Sequence, residues 1–149
     1  MNNQTLTCPV CEEGRLTEST FADDFKHGKK TLHIDGLECY LCNNCGADPV
    51  FPEQIRRNHL SIADSKRVED DLLTGAKIKE IRNQLGLSQS DAARIFGGGD
   101  NAFSKYERGD VIQSKAMDKL LRLTAKHQVN LLELCSFAGM PVKHTNIGR

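Results

Sequence analysis

Two Cys-x-x-Cys pairs constrain the first third of this chain more than any other feature. The first is Cys8 and Cys11 in CPVC, and the second, far along the chain, is Cys42 and Cys45 in CNNCG. Two such knuckles can bring four thiolates to one zinc ion at about 2.3 Å. A module this small buries too little apolar surface to fold without a bound metal ion that stabilises it. We therefore expect one structural zinc per chain, because four thiolates leave no open position for catalysis.

The choice of the second zinc pair has an alternative, because Cys39 and Cys42 also form a Cys-x-x-Cys pair. Cys39 alternates with Leu37 and Leu41, as an inward-facing strand residue does. Cys45 precedes a glycine, which suits the tight backbone of a knuckle. We therefore favour Cys42 with Cys45 as ligands.

The remaining cysteines and the histidines are weaker candidates for chemistry. We assign Cys39 and Cys135 as small buried hydrophobes. The alternative for the four predicted ligands is a pair of disulfides, which a reducing cytosol disfavours. The five histidines have no ligand spacing relative to the cysteines, and His33 is a weak substitute ligand.

The segment between the cysteine pairs has the pattern of β-strands. Apolar residues alternate in TLHIDGLECYL, and Asp35-Gly36 inside it is a turn signal. We predict a small β-rich module over roughly residues 6–50, closed by Pro49 and Pro52. The polar stretch 52–73 has loosely helical spacing, which favours a helical connector over a disordered linker.

The C-terminal half has the 3.6-residue periodicity of helices. Isoleucines and leucines recur at three- and four-residue spacing after Gly75, and Gly86 ends the first helix. Ser88 and Asp91 have the spacing of a capping box that opens the next helix. Further apolar stripes predict about five short helices in all.

The stretch FGGGDNAFSKYERG, residues 96–109, places three glycines in front of a short helix. A helix-turn-helix needs a small residue at the helix crossing, a glycine four residues later, and apolar residues on the second helix. These positions are occupied by Ala93, Gly97, Phe103 and Tyr106. The pattern predicts a helix-turn-helix whose second helix enters the major groove of DNA.

Several residues of this motif are candidate DNA contacts. They are Gly98, Gly99, Asn101, Ser104, Lys105 and Arg108. Asn101 and Lys105 lie one turn apart, and such side chains pair with adenine and with guanine or phosphate. The Ser104 hydroxyl and the Arg108 guanidinium are better suited to contacts with DNA phosphates. The two glycines let backbone amides approach a phosphate, or they only ease the turn.

Charge is divided unevenly along the chain. Residues 1–74 hold 8 Lys and Arg against 13 Asp and Glu, a net charge of −5, whereas residues 75–149 hold 12 against 7, a net charge of +5. The asymmetry suggests two domains with different partners, and the basic half suits nucleic acid. A solvated lysine-rich face is the alternative.

These residues together resemble one family. The stretch IRNQLGLSQSDAARIFGGGDNAFSKYERG, with CPVC and the later Cys-x-x-Cys, is similar to MqsA-type antitoxins of type II toxin-antitoxin systems. That family combines a YgiT-type zinc finger with an Xre-like helix-turn-helix, and the resemblance covers roughly residues 8–133. It implies a zinc domain that binds a small ribonuclease toxin, and a dimeric domain that binds a promoter palindrome with Asn101 and Lys105. The tail from Cys135 extends beyond the family core.

We therefore expect an α+β protein with three parts. Residues 1–51 form a zinc-binding, toxin-binding domain, residues 52–74 a helical connector, and residues 75–149 an all-α helix-turn-helix domain that binds DNA and dimerises. The expected partners are a cognate toxin, a double-stranded DNA operator and a second copy of the chain. The alternative is a zinc-containing transcriptional regulator without a toxin, whose N-terminal module senses metal or binds another protein.

Other function classes find little support in the sequence. There is no Ser/His/Asp or Cys/His arrangement and no phosphate loop, so we do not expect an enzyme. There is no run of about 18 apolar residues and no signal peptide, so we expect no membrane span and a cytoplasmic location.

Overall fold

The computed structural model describes residues 6–141 of the 149-residue chain. The elements in this range are β1 (Leu16–His27), β2 (Lys30–Cys42), α1 (Pro52–Glu69), α2 (Gly75–Gln84), α3 (Gln89–Phe96), α4 (Ala102–Arg108), α5 (Lys115–Lys126) and α6 (Val129–Phe137). The predicted α+β class is confirmed. The chain divides into two compact units between Ser65 and Lys66, inside α1. Within residues 6–141, no helix has the length and apolar character needed to cross a membrane.

In the N-terminal unit, β1 and β2 form an antiparallel hairpin. The two-residue turn is Gly28-Lys29, and Gly28 has a φ of +60°, as the first position of a type II′ turn requires. The predicted turn at Asp35-Gly36 is wrong, because β2 continues through both residues. The strand register shifts opposite them in a β-bulge, and Gly36 there has a φ of +70°. The left-handed conformation of Gly36 therefore belongs to a β-bulge rather than to a turn.

The first part of α1 is attached to the edge of β2 by side-chain hydrogen bonds. Asn58 is buried, and its amide oxygen accepts from the backbone N–H of Glu38 at 2.7 Å while its amide nitrogen donates to the carbonyl of Glu38 at 2.9 Å. Arg57 forms an ion pair with the carboxylate of Glu38 at 2.6 Å. These bonds satisfy backbone groups that an edge strand would otherwise leave unpaired.

In the C-terminal unit, helices α2 to α6 surround one apolar core. Its most deeply buried side chains include Ile78, Phe103 and Leu121, each at most 1% exposed. Ser88 caps α3 by accepting the N–H of Asp91 at 3.0 Å, as its spacing predicted. The five short helices follow from the periodicity of the sequence because their apolar faces meet in this core.

Candidate metal centre and nucleic-acid interface

Four cysteine sulfurs converge beside the hairpin. The Sγ atoms of Cys8, Cys11, Cys42 and Cys45 all lie within 4.8 Å of one another. The Cys8–Cys45 and Cys11–Cys42 sulfur pairs are each 3.8 Å apart. A regular tetrahedron of sulfurs around a metal at about 2.3 Å has edges of roughly 3.8 Å. The quartet therefore has the dimensions to hold a metal ion.

Backbone amides of the knuckles point at three of these sulfurs. The N–H of Val10 donates to Cys8 Sγ at 3.4 Å, and that of Gly14 to Cys11 Sγ at 3.3 Å. The N–H of Asn44 donates to Cys42 Sγ at 3.4 Å. Such bonds stabilise thiolates and orient them toward a shared centre.

The ionisation of the quartet favours a bound cation. The Glu13 and Gly14 amides lower the pKa of Cys11 to about 6, and amide hydrogen bonds likewise lower the pKa of Cys42. The Ala47 amide acts in the same direction on Cys45, but burial and the three neighbouring sulfurs raise the pKa of Cys45 to about 12. A metal ion would balance the negative charge that opposes the last deprotonation.

The alternative ligands lie outside this quartet. Cys39 is buried in β2, 4% exposed, and so is Leu37, but Leu41 is 44% exposed, so the predicted alternation ends before it. His33 pairs with Asp24 through Nδ1 at 2.7 Å. Among the described residues, no second group of three or more metal-binding side chains converges in this way.

Two residues of the centre were missed by sequence reasoning. A Cβ at Gly14 would overlap Cys42 Sγ and lie 2.8 Å from the Cβ of Asn44, so only glycine fits. The side-chain amide of Asn44 donates to Cys11 Sγ at 3.6 Å. The sequence feature that could have identified them is their position, because each lies two or three residues after a predicted metal ligand.

The turn between α3 and α4 consists largely of glycines in conformations that other residues rarely adopt. Gly97, Gly98 and Gly99 have φ values of +90°, +94° and +94°. A Cβ at Gly98 would also lie 2.9 Å from Tyr106 Oη and 3.0 Å from Ala102 Cβ. The turn therefore requires these glycines irrespective of DNA.

Replacing Gly98 by valine is expected to lower stability by roughly 3 kcal/mol, because left-handed strain and the contact with Tyr106 add. Gly99→Ala is the control, since a Cβ there meets no neighbour and only the φ strain of about 1–2 kcal/mol remains. Thermal unfolding of both variants measures the difference. An unchanged melting temperature with lost DNA binding would instead favour a phosphate contact at Gly98.

The polar residues predicted to contact DNA lie at or on α4. The N–H of Lys105 donates to the carbonyl of Asn101 at 3.1 Å, so these two exposed residues are one helical turn apart. Ser104 is half-buried, and its hydroxyl donates to the Asn101 carbonyl at 3.1 Å. Arg108 forms an ion pair with Asp110 at 2.7 Å. Asn101 and Lys105 thus remain available to a ligand, whereas Arg108 would exchange its carboxylate partner for phosphate.

Comparison with known proteins identifies similarities over nearly the whole described region. Residues 6–135 match the family described as the antitoxin component of bacterial toxin-antitoxin system, MqsA. The antitoxin MqsA of Escherichia coli (strain K12) is 32% identical over 136 residues, which cover 87% of this chain and 99% of that protein. The matched region contains both the cysteine quartet and the glycine turn.

Proposed function

Because the chain belongs to the MqsA family of antitoxins, we propose that it neutralises a ribonuclease toxin and represses its own operon. The observation that carries the proposal is a family match that spans both candidate sites, the quartet and the glycine turn. Toxin binding is assigned to residues 1–51, and DNA binding and dimerisation to residues 75–149, with residues 52–74 as connector. The protein then acts in the cytoplasm, where its ribonuclease partner and its operator are found.

In this proposal the quartet of Cys8, Cys11, Cys42 and Cys45 holds one zinc ion per chain. The 3.8 Å sulfur separations support zinc, since all-thiolate tetrahedral sites are typical of structural zinc. The metal supplies folding energy rather than catalysis. Its role is to hold the knuckles and the hairpin in the form that the toxin binds.

The proposed DNA reader is α4 of a homodimer. Each copy places Asn101 and Lys105 against base edges, and Ser104, Arg108 and the amides near Gly98 and Gly99 against phosphates. One such helix reads only a few base pairs, so two copies on a palindrome, about 34–36 Å apart, supply the specificity. The net charge of +5 over residues 75–149 supports this assignment.

Co-purification tests the toxin partner. A fragment of residues 1–73, expressed with the small protein encoded beside this gene, is expected to retain it, because the −5 charge of that half favours encounter with a basic ribonuclease. The matched control is residues 66–149, the whole C-terminal unit, which should not retain it. If only the C-terminal fragment retained the small protein, the two domain roles would be exchanged. If neither fragment nor the full chain retained it, a regulator without a toxin would be favoured.

A further inference from the structure

Arg67, in the last turn of α1, is a charged side chain with no exposed surface (0%). Its Nε donates to Gln113 Oε1 at 2.9 Å. Its Nη2 donates to the carbonyl oxygens of Tyr106 at 2.8 Å and Val111 at 3.1 Å. A buried charge is tolerated only when its hydrogens are satisfied in this way. Arg67 therefore binds the end of α4 and the loop that follows it.

The chemistry of this contact requires arginine. Tyr106 lies in the last turn of α4, where helix carbonyls carry partial negative charge, and its carbonyl accepts the Gly109 N–H at 3.2 Å as well as Arg67. The planar guanidinium reaches the Tyr106 and Val111 carbonyls and the Gln113 amide at once, from fixed directions. A lysine ammonium keeps the charge but does not reproduce this geometry.

Gln113 extends the contact to the segment that follows α1. Its Nε2 donates to the Leu73 carbonyl at 2.8 Å and to Asp118 Oδ1 at 2.9 Å. The same carboxylate oxygen accepts the Leu73 N–H at 2.8 Å. The backbone around residues 67–73 is thereby joined to the end of α4 and the start of α5 through buried polar groups, all within the C-terminal unit.

We propose that Arg67 is a positioning residue for operator recognition by α4. The inference rests on the proposed function, in which Asn101 and Lys105 read bases. A helix of seven residues is too short to be stable alone, so its direction is set by what it contacts. Phe103 packs it against the core, Arg67 binds a carbonyl at its C-terminal end, and Glu107 in its last turn pairs with Arg82 at 2.6 Å. When Arg67 is lost the Glu107 ion pair remains, but the carbonyl end of the helix loses its buried donor. We expect the helix to shift and to displace Asn101 and Lys105, because a productive site tolerates about 0.5 Å.

The test substitutes Arg67→Lys in the full chain and measures binding to two DNA duplexes. One is the promoter segment upstream of the gene, and the other a scrambled duplex of equal length and composition. Promoter affinity is expected to fall about tenfold, comparable to losing one good base contact. Affinity for the scrambled duplex should stay unchanged, because the net charge is kept. Arg56→Lys, the same change at an exposed position of α1, should alter neither.

Amide hydrogen exchange supplies a second readout. Faster exchange confined to residues 102–108 of the Arg67→Lys chain supports the positioning role, whereas faster exchange throughout α2 to α6 with equal loss for both duplexes overturns it. Gln113→Met keeps the side-chain volume but removes the acceptor of Arg67 Nε and the two bonds that Gln113 donates. It is expected to act in the same direction and serves if Arg67→Lys does not fold. An unchanged ratio of promoter to scrambled affinity also overturns the inference. Absence of promoter preference in the wild-type chain overturns the proposed function itself, and the inference with it.

Discussion

Removal of the metal is expected to unfold the N-terminal unit while α2 to α6 keep their helical circular dichroism signal. Structural zinc contributes on the order of 10 kcal/mol to the folding of small zinc modules. Apart from the four cysteines of the quartet, the buried apolar side chains among residues 6–65 are few: Leu16, Ile34, Leu37, Cys39 and Ala63. That core is too small to hold the hairpin and knuckles together without metal. One zinc per chain, measured by elemental analysis and lost on chelation together with the dispersed NMR signals of residues 6–50, is the expected result.

Cysteine substitutions test which thiols bind the metal. Cys45→Ser should abolish stoichiometric zinc, because its sulfur lies 3.8 Å from that of Cys8 within the quartet. Cys39→Ser is the matched control, since this buried thiol of β2 lies outside the quartet. Full zinc in Cys45→Ser together with loss in Cys39→Ser would show that the ligand assignment is wrong.

Loss of operator recognition is expected when the two exposed readers of α4 are removed together. Asn101→Ala should weaken promoter binding by about 1–3 kcal/mol and relax the preference at one base position. Lys105→Ala should weaken it by a similar amount if the ammonium contacts a base. If the ammonium contacts only phosphate, the substitution should weaken binding to all sequences alike. It should then also reduce the slope of log affinity against log salt concentration by about one. Fluorescence anisotropy over a range of salt concentrations separates these results.

The control for this loss is a cation of the same unit that lies away from α4. Lys126→Ala, in the last turn of α5, removes one positive charge without touching the proposed readers. It should leave the preference for promoter over scrambled DNA unchanged. Wild-type promoter affinity in the Asn101→Ala, Lys105→Ala double variant would show that α4 does not read the operator.

The features predicted correctly from the sequence are those set by neighbours along the chain. Helical periodicity after Gly75, the Ser88 cap and the preference of Gly97 for a left-handed turn each depend on interactions within a few residues. The turn predicted at Asp35-Gly36 from neighbouring residues was wrong, because a glycine with positive φ occurs both in turns and in β-bulges. Only pairing between the strands distinguishes the two.

The sequence by itself determined that a pair of cysteine knuckles would be joined to a helical unit with a glycine turn, since spacing and residue type carry that information. Only the tertiary structure decided which sulfurs converge, why Gly14 has no room for a side chain, and that Arg67 belongs to the α4 end. Arg67 and its partner Gln113 are 46 residues apart in sequence. The burial of such a charge depends on acceptors that come together only when the chain has folded, and no local pattern specifies them.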